Sequence, residues 1–226
     1  MDYRRSDART VLRNQWMDHG FMRLLLGSLV LCIAGLVCAP RVSAGADPQE
    51  AVRQASEQVL IELEREGAAL TSDPRRLYAL VDTVMLQLMD FNRMSRWVLG
   101  KHWKTATPEQ QSRFSGEFRR MQVRTYATAL AGYSGQRIQF LPQRDSGTAD
   151  EAVVRAEIQQ PGGLAIPVQF SLYRSGDVWK AYDVLIDGIS LVANYRTSFG
   201  AEVRNGGLDA LIQSMAARNQ QALNTP

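Results

Sequence analysis

An α+β fold, with a helical layer packed on a four-stranded antiparallel sheet, is what this sequence predicts, and three observations predict it. Between residues 47 and 132 apolar side chains recur at helical spacing behind helix-start motifs; after Gly135 the period changes to alternation; after Ser190 it turns helical again. Short-looped alternating strands make a sheet with one apolar face, and the helices on either side in sequence supply its cover. A chain of 226 residues, 45% of them hydrophobic, is long enough to bury a sizeable core.

The first 44 residues read as a secretory signal peptide, leaving 45–226 as a single domain. Leu24 to Ala39 is an uncharged apolar run preceded by Arg23 and closed by Pro40; Val42, Ser43 and Ala44 then supply a small-residue site, with cleavage after Ala44 or Ala46. The run is shorter than the ~20 residues that cross a bilayer, which disfavours a retained span. The stretch before it is long for a leader, so Met17 and Met22 are candidate starts. Cys32 and Cys38 both fall in the leader, so the exported part holds neither a disulfide nor a thiolate. Removing the leader also takes six basic and three acidic side chains, which leaves twenty of each. A net charge of zero implies no nucleic acid or other polyanion as partner.

Asp47 before Pro48, with Glu50 beyond, starts a helix that places Val52, Ala55, Val59 and Leu63 on one face and ends at Gly67. Asp73 before Pro74 repeats the device for a second helix with a broad stripe from Leu77 to Phe91. Met94, Trp97, Val98 and Leu99 give a short third helix ending at Gly100. Thr107, Pro108 and Gln110 form a capping box for the longest helix, which runs to about Gly132 with Phe114, Phe118, Met121, Thr125 and Leu130 inward and Arg113, Arg120 and Arg124 on a solvated face. The strands follow: Ile138 with Phe140; Val154 with Ala156 and Ile158; Leu164 through Leu172; and Val178, Tyr182, Val184 and Ile186. Pro167 marks its strand as an edge or a bulge. Ser190 caps a helix to about Phe199, and a last helix follows Gly206 and Gly207 with Leu208, Leu211, Ile212 and Met215 inward.

Catalytic signatures are mostly absent from this pattern. His102 stands alone in the exported part, so neither a histidine metal site nor a serine–histidine pair can be assembled, and no metal or other cofactor is expected. One catalytic idea survives: an acid inside an apolar cavity can move protons, as in ketosteroid-isomerase-like folds, and Asp183 is the candidate. Strand alternation turns it away from Tyr182, Val184 and Ile186, so a structural role is expected, in which Asp183 pairs with a base or caps a backbone amide and Arg196 likewise serves structural pairing. Periodicity does not distinguish a filled core from a hollow one.

Two blocks carry a family resemblance. The first runs from Asp90 and Phe91 through Val98, Leu99, Gly100, His102 and Trp103 to Thr107, Pro108, Glu109, Gln110, Phe114, Phe118 and Tyr126. The second runs from Tyr182 through Asp187, Gly188, Ser190, Asn194, Tyr195 and Arg196 to Phe199, Gly206, Gly207 and Leu208. Together they resemble the MlaC or toluene-tolerance proteins. The resemblance implies a periplasmic carrier without enzyme activity, monomeric, holding phospholipid tails in an apolar cavity between helices and sheet. It also implies partners: an inner-membrane ABC transporter complex and an outer-membrane lipoprotein complex. A hopanoid-cluster subgroup shares the pattern, so a hopanoid is the alternative ligand. With that implication, the expected lining is Trp97, Phe114, Phe118 and Met121 from the helices; Phe140, Ile158, Val168, Phe170, Val184 and Ile186 from the sheet; and Leu191, Val192, Tyr195 and Phe199 from the closing helix. Each methylene kept from water contributes ~0.8 kcal/mol, so two acyl chains amount to on the order of 20 kcal/mol that a carrier must match with an equally apolar interior. A headgroup left in water at the mouth implies weak headgroup selectivity.

Overall fold

The structure, a computed structural model, describes residues 47–143 and 149–224; the predicted leader, its start sites and both cysteines lie outside them. The helix starts form as their chemistry dictates. Asp47 accepts from Gln49 N at 2.9 Å to open α1 (Pro48–Glu66), and Gly67, at φ 50, closes it. A single turn, α2 (Ala68–Thr71), then leads to α3 (Pro74–Leu88), capped by Asp73 on the amides of Arg75 and Arg76. The short third helix of the sequence starts earlier than expected, as α4 (Phe91–Leu99), because Asp90 accepts from Arg93 N at 2.8 Å. A further turn not anticipated from sequence, α5 (Lys101–Thr105), follows Gly100. The capping box of Thr107 and Gln110 opens α6 (Pro108–Ala131). Phe114, Phe118 and Leu130 are buried there as expected, but Met121 and Thr125 are only half-buried while Gln122, Val123 and Tyr126 take the inner face.

The sheet is an antiparallel meander in the order β1 (Arg137–Phe140), β2 (Glu151–Gln159), β3 (Ile166–Ser175), β4 (Val178–Ile186), β5 (Ile189–Ser190). The two-residue β5 adds a fifth strand to the four predicted. Leu164 falls outside β3, 90% exposed in the preceding turn. The edge placement of Pro167 is overturned, since β3 pairs with β2 on one side and β4 on the other. The proline is accommodated because it is the second residue of the strand, just before the β4 register begins at Val168, so the N–H it lacks falls at the end of that ladder; its carbonyl still accepts from Asp187 N at 2.9 Å.

The bulge lies elsewhere and corrects the reading of the last long strand. Leu172 pairs with Ala181 but Ser171 pairs with Asp183, so Tyr182 is an extra residue opposite no partner. That inserted residue reverses the alternation on its N-terminal side. Trp179 and Ala181 are buried, whereas Val178 and Tyr182 turn out; Val184 and Ile186 remain inward as expected. At the bulge, Asp90 N donates to Ala181 O at 2.8 Å, so the joint between α3 and α4 is fastened to β4.

Ser190 caps the last helix by accepting from Ala193 N at 3.0 Å. The two predicted C-terminal helices are one element, α7 (Leu191–Asn224), bent at Gly207, whose φ of 81 and ψ of 170 suit glycine alone. It packs on α6, α4 and β4. Part of the solvated face of α6 is paired: Arg113 lies 3.8 Å from Asp209 and Arg124 donates to Arg218 O at 2.6 Å, tying α6 to α7.

Candidate functional site

The helical layer and the sheet meet in one continuous apolar cluster, and thirteen of the fourteen predicted lining residues belong to it or pack against it. Phe114, Phe118, Ile158, Val168, Phe170, Val184, Ile186, Val192 and Phe199 are buried; Met121, Phe140, Leu191 and Tyr195 are half-buried at its margin. Where α6 meets α7 the rings interlock. Phe114 stacks on Phe118 at 5.9 Å, Tyr195 meets Phe118 edge-on at 5.5 Å, and Phe199 lies 5.3 Å from Tyr195. Trp97 departs from the expected lining. It is 49% exposed on the outer side of α4 and stacks on Tyr182 at 6.3 Å. The spacing of α4 accounts for this: Met94, Val98 and Leu99 already fill its inner face.

Asp183 is spent on the fold. Its carboxylate accepts from Val184 N at 2.9 Å, Ser190 Oγ at 2.6 Å and Val192 N at 3.1 Å, so it caps the start of α7 as one branch of the sequence reading expected. Asp183→Ala is expected to lower stability by about 1–2 kcal/mol, and the melting temperature by about 2–8 °C, without changing what the protein binds. A thermal melt beside an analysis of bound material checks both halves. The pairing expected of Arg196 is not found: among the described residues no carboxylate lies within 4.0 Å of its guanidinium.

Arg196 instead lines a groove of about 940 Å³ on the outer side of α4, α5 and α7. Arg93, Arg96, Lys101 and Lys104 share it, with Trp97, Trp103 and Tyr173 as aromatic walls and Asp90 as its acid. The sequence reading missed this cluster. Arg93, Arg96, Trp97 and Gly100 do fall three and four residues apart, one helical face, but Arg196 arrives from far along the chain and leaves no local signal.

Burial raises the phenols of Tyr133, Tyr173, Tyr182 and Tyr195 above the usual 10.0. The folded chain therefore holds those protons longer than the unfolded one, and the stability they contribute, complete below pH 10.0, is lost as pH rises through the raised values. Burial lowers Lys180, which acts in the opposite sense below 10.5. Loss of stability is thus expected above that pH, and melting temperature followed beside tyrosinate absorbance through the alkaline range tests it.

Comparison with known proteins converges on one family. The family model described as MlaC protein matches residues 53–217. The intermembrane phospholipid transport system binding protein MlaC of Haemophilus influenzae is 26% identical over 182 residues, 79% of this chain and 83% of that protein. The toluene tolerance protein ttg2D of Pseudomonas putida is 29% identical over 187 residues, 79% of this chain and 86% of that one. In structure the chain resembles the phospholipid-binding protein of Ralstonia solanacearum, solved in complex with a phospholipid, with a TM-score of 0.72 and 30% identity over 79% of this chain and 99% of that one. Among the described residues no helix is long and apolar enough to cross a membrane. With the matched segment reaching from α1 into the last helix, this chain belongs to the MlaC family.

Proposed function

We propose that this protein is a periplasmic shuttle that carries phospholipid between an outer-membrane lipoprotein complex and an inner-membrane ABC transporter complex, as a monomer and without performing a reaction. The observation that carries the reading is the likeness to a protein solved with phospholipid bound, over nearly that whole chain, joined to an apolar cluster that runs unbroken between helices and sheet. The leader reading supplies the compartment.

Tails are held between α6, α7 and the inner face of β2, β3 and β4. Phe114, Phe118 and Val154 have no exposed surface and Phe170 has 2%, so all four lie inside the apolar cluster. Tails enter as the helical layer moves off the sheet, and the half-buried margin at Met121, Leu191 and Tyr195 is where that parting costs least. Transfer between two apolar surroundings leaves a small net free energy, which keeps release possible.

The test is mass spectrometry of an organic extract of the exported protein purified without detergent. Phospholipid in amounts comparable with protein is the expected result. An extract free of lipid overturns the carrier reading, a hopanoid replaces the ligand, and a turnover that disappears in Asp183→Asn replaces carriage with isomerase-like catalysis.

A further inference from the structure

We propose that the groove walled by α4, α5 and α7 is a headgroup site that favours phospholipids of net negative charge over zwitterionic ones. The proposal rests on the carrier reading and adds to it a selectivity that the sequence reading did not expect. Five cations, Arg93, Arg96, Lys101, Lys104 and Arg196, face one acid, Asp90. Among the described residues only Arg93 of the five has a carboxylate within 4.0 Å, that of Glu151 at 3.9 Å. Several arginines elsewhere are paired with carboxylates, as Arg119 with Asp82 at 2.5 Å and Arg218 with Glu202 at 3.1 Å, and the exported chain as a whole is neutral. Unpaired positive charge is therefore concentrated in one hollow.

The hollow is built to hold those charges in place. Both carboxylate oxygens of Asp90 are engaged in the wall, one by Arg93 N at 2.8 Å and the other by the Tyr173 hydroxyl. The Arg93 guanidinium lies 3.9 Å above the Tyr173 ring and 4.7 Å from that of Tyr182, while Trp97 stacks beside it on Tyr182. Gly100 sits at φ 54, and a Cβ there would stand 3.1 Å from Nε and Nη2 of Arg196. The absence of a side chain at Gly100 thus lets Arg196 lie across the joint of α4 and α5.

Position links the groove to the tails. Val192 and Phe199, about one turn either side of Arg196 on α7, are buried in the apolar cluster, as are Met94 and Val98 on α4. The groove is the outer side of the helix pair that closes the interior. Its concavity suits a headgroup and not the plane of a bilayer. A phosphate is common to all phospholipids and suits convergent guanidinium and ammonium groups. A zwitterionic headgroup brings its own ammonium into a hollow already rich in cations, whereas a phosphoglycerol headgroup does not.

The exported protein is loaded from vesicles of equal parts phosphatidylglycerol and phosphatidylethanolamine, re-isolated, and its lipid quantified by mass spectrometry. Wild type should carry phosphatidylglycerol in about tenfold excess. The double variant Arg96→Gln with Arg196→Gln should carry its lipid at the vesicle ratio, whatever the total recovered, and the lysine pair at those positions should restore the excess. Lipid recovered from wild type at the vesicle ratio, or an excess kept by the glutamine pair, overturns the headgroup site and leaves the carrier reading standing. No lipid in wild type overturns both. In a second arm inorganic phosphate is titrated while tryptophan fluorescence of Trp97 and Trp103 is followed. Saturable quenching lost in the glutamine pair, with no effect of that pair on lipid ratio, would reassign the groove to free phosphate and overturn the lipid assignment.

Discussion

Phe170→Asp leaves no cooperative melting transition. Phe170 is central in β3, opposite Val154 of β2 and Val184 of β4, and 2% exposed. Removing the ring costs about 3–5 kcal/mol through lost transfer energy and the cavity left behind. An ionised carboxylate without a partner adds several kcal/mol more. The total is comparable with the whole stability of a typical domain, about 5–15 kcal/mol. Far-ultraviolet circular dichroism during heating reads the outcome, and Phe170→Leu, which keeps most of the volume, should melt cooperatively with a loss under about 1.5 kcal/mol. A two-state melt for the aspartate variant would mean that β3 is not covered on its inner face. From sequence alone Pro167 marks this strand as an edge or a bulge, and at an edge a charge nearby would be better tolerated. Pairing on both sides removes that tolerance.

Why the helices could be read so closely and the fourth strand could not follows from where the determinants lie. Asp47 with Pro48, Asp73 with Pro74, and Thr107 with Gln110 act within one turn of themselves, so the residues that fix each start are adjacent in sequence. The bulge at Tyr182 depends on the partner strand and on the docking of Asp90 to Ala181, neither of which alters the local apolar pattern. Alternation was therefore right from Val184 to Ile186 and inverted from Val178 to Tyr182. The interior candidates were found because apolar faces are periodic; Trp97 was misplaced because a four-residue apolar count does not say which residue of α4 faces out. The basic groove needed Arg196 beside Gly100, a contact between residues 96 positions apart in the chain.

Met121→Glu and Leu191→Glu, made separately, should each retain the fold and lose lipid. Both positions are half-buried at the rim of the apolar cluster, Met121 on α6 and Leu191 at the start of α7. A glutamate there can lay its methylenes on the cluster and keep its carboxylate in water, so the folding penalty is about 1–2 kcal/mol, well below that of a charge at Phe170. An acyl chain running past the same rim must strip water from that carboxylate. Leaving it without a partner costs about 1–3 kcal/mol, so lipid retained through purification should fall by about tenfold to a hundredfold. The ratio of extracted phospholipid to protein measures the loss, with a melt to show the fold intact. Met121→Leu and Leu191→Met should hold lipid like the wild type, since they change shape without adding polarity. Glutamate variants that melt normally and still carry a full complement of lipid would place the tails away from the seam of α6 and α7, and the rings of Phe114, Phe118, Tyr195 and Phe199 would then be core alone.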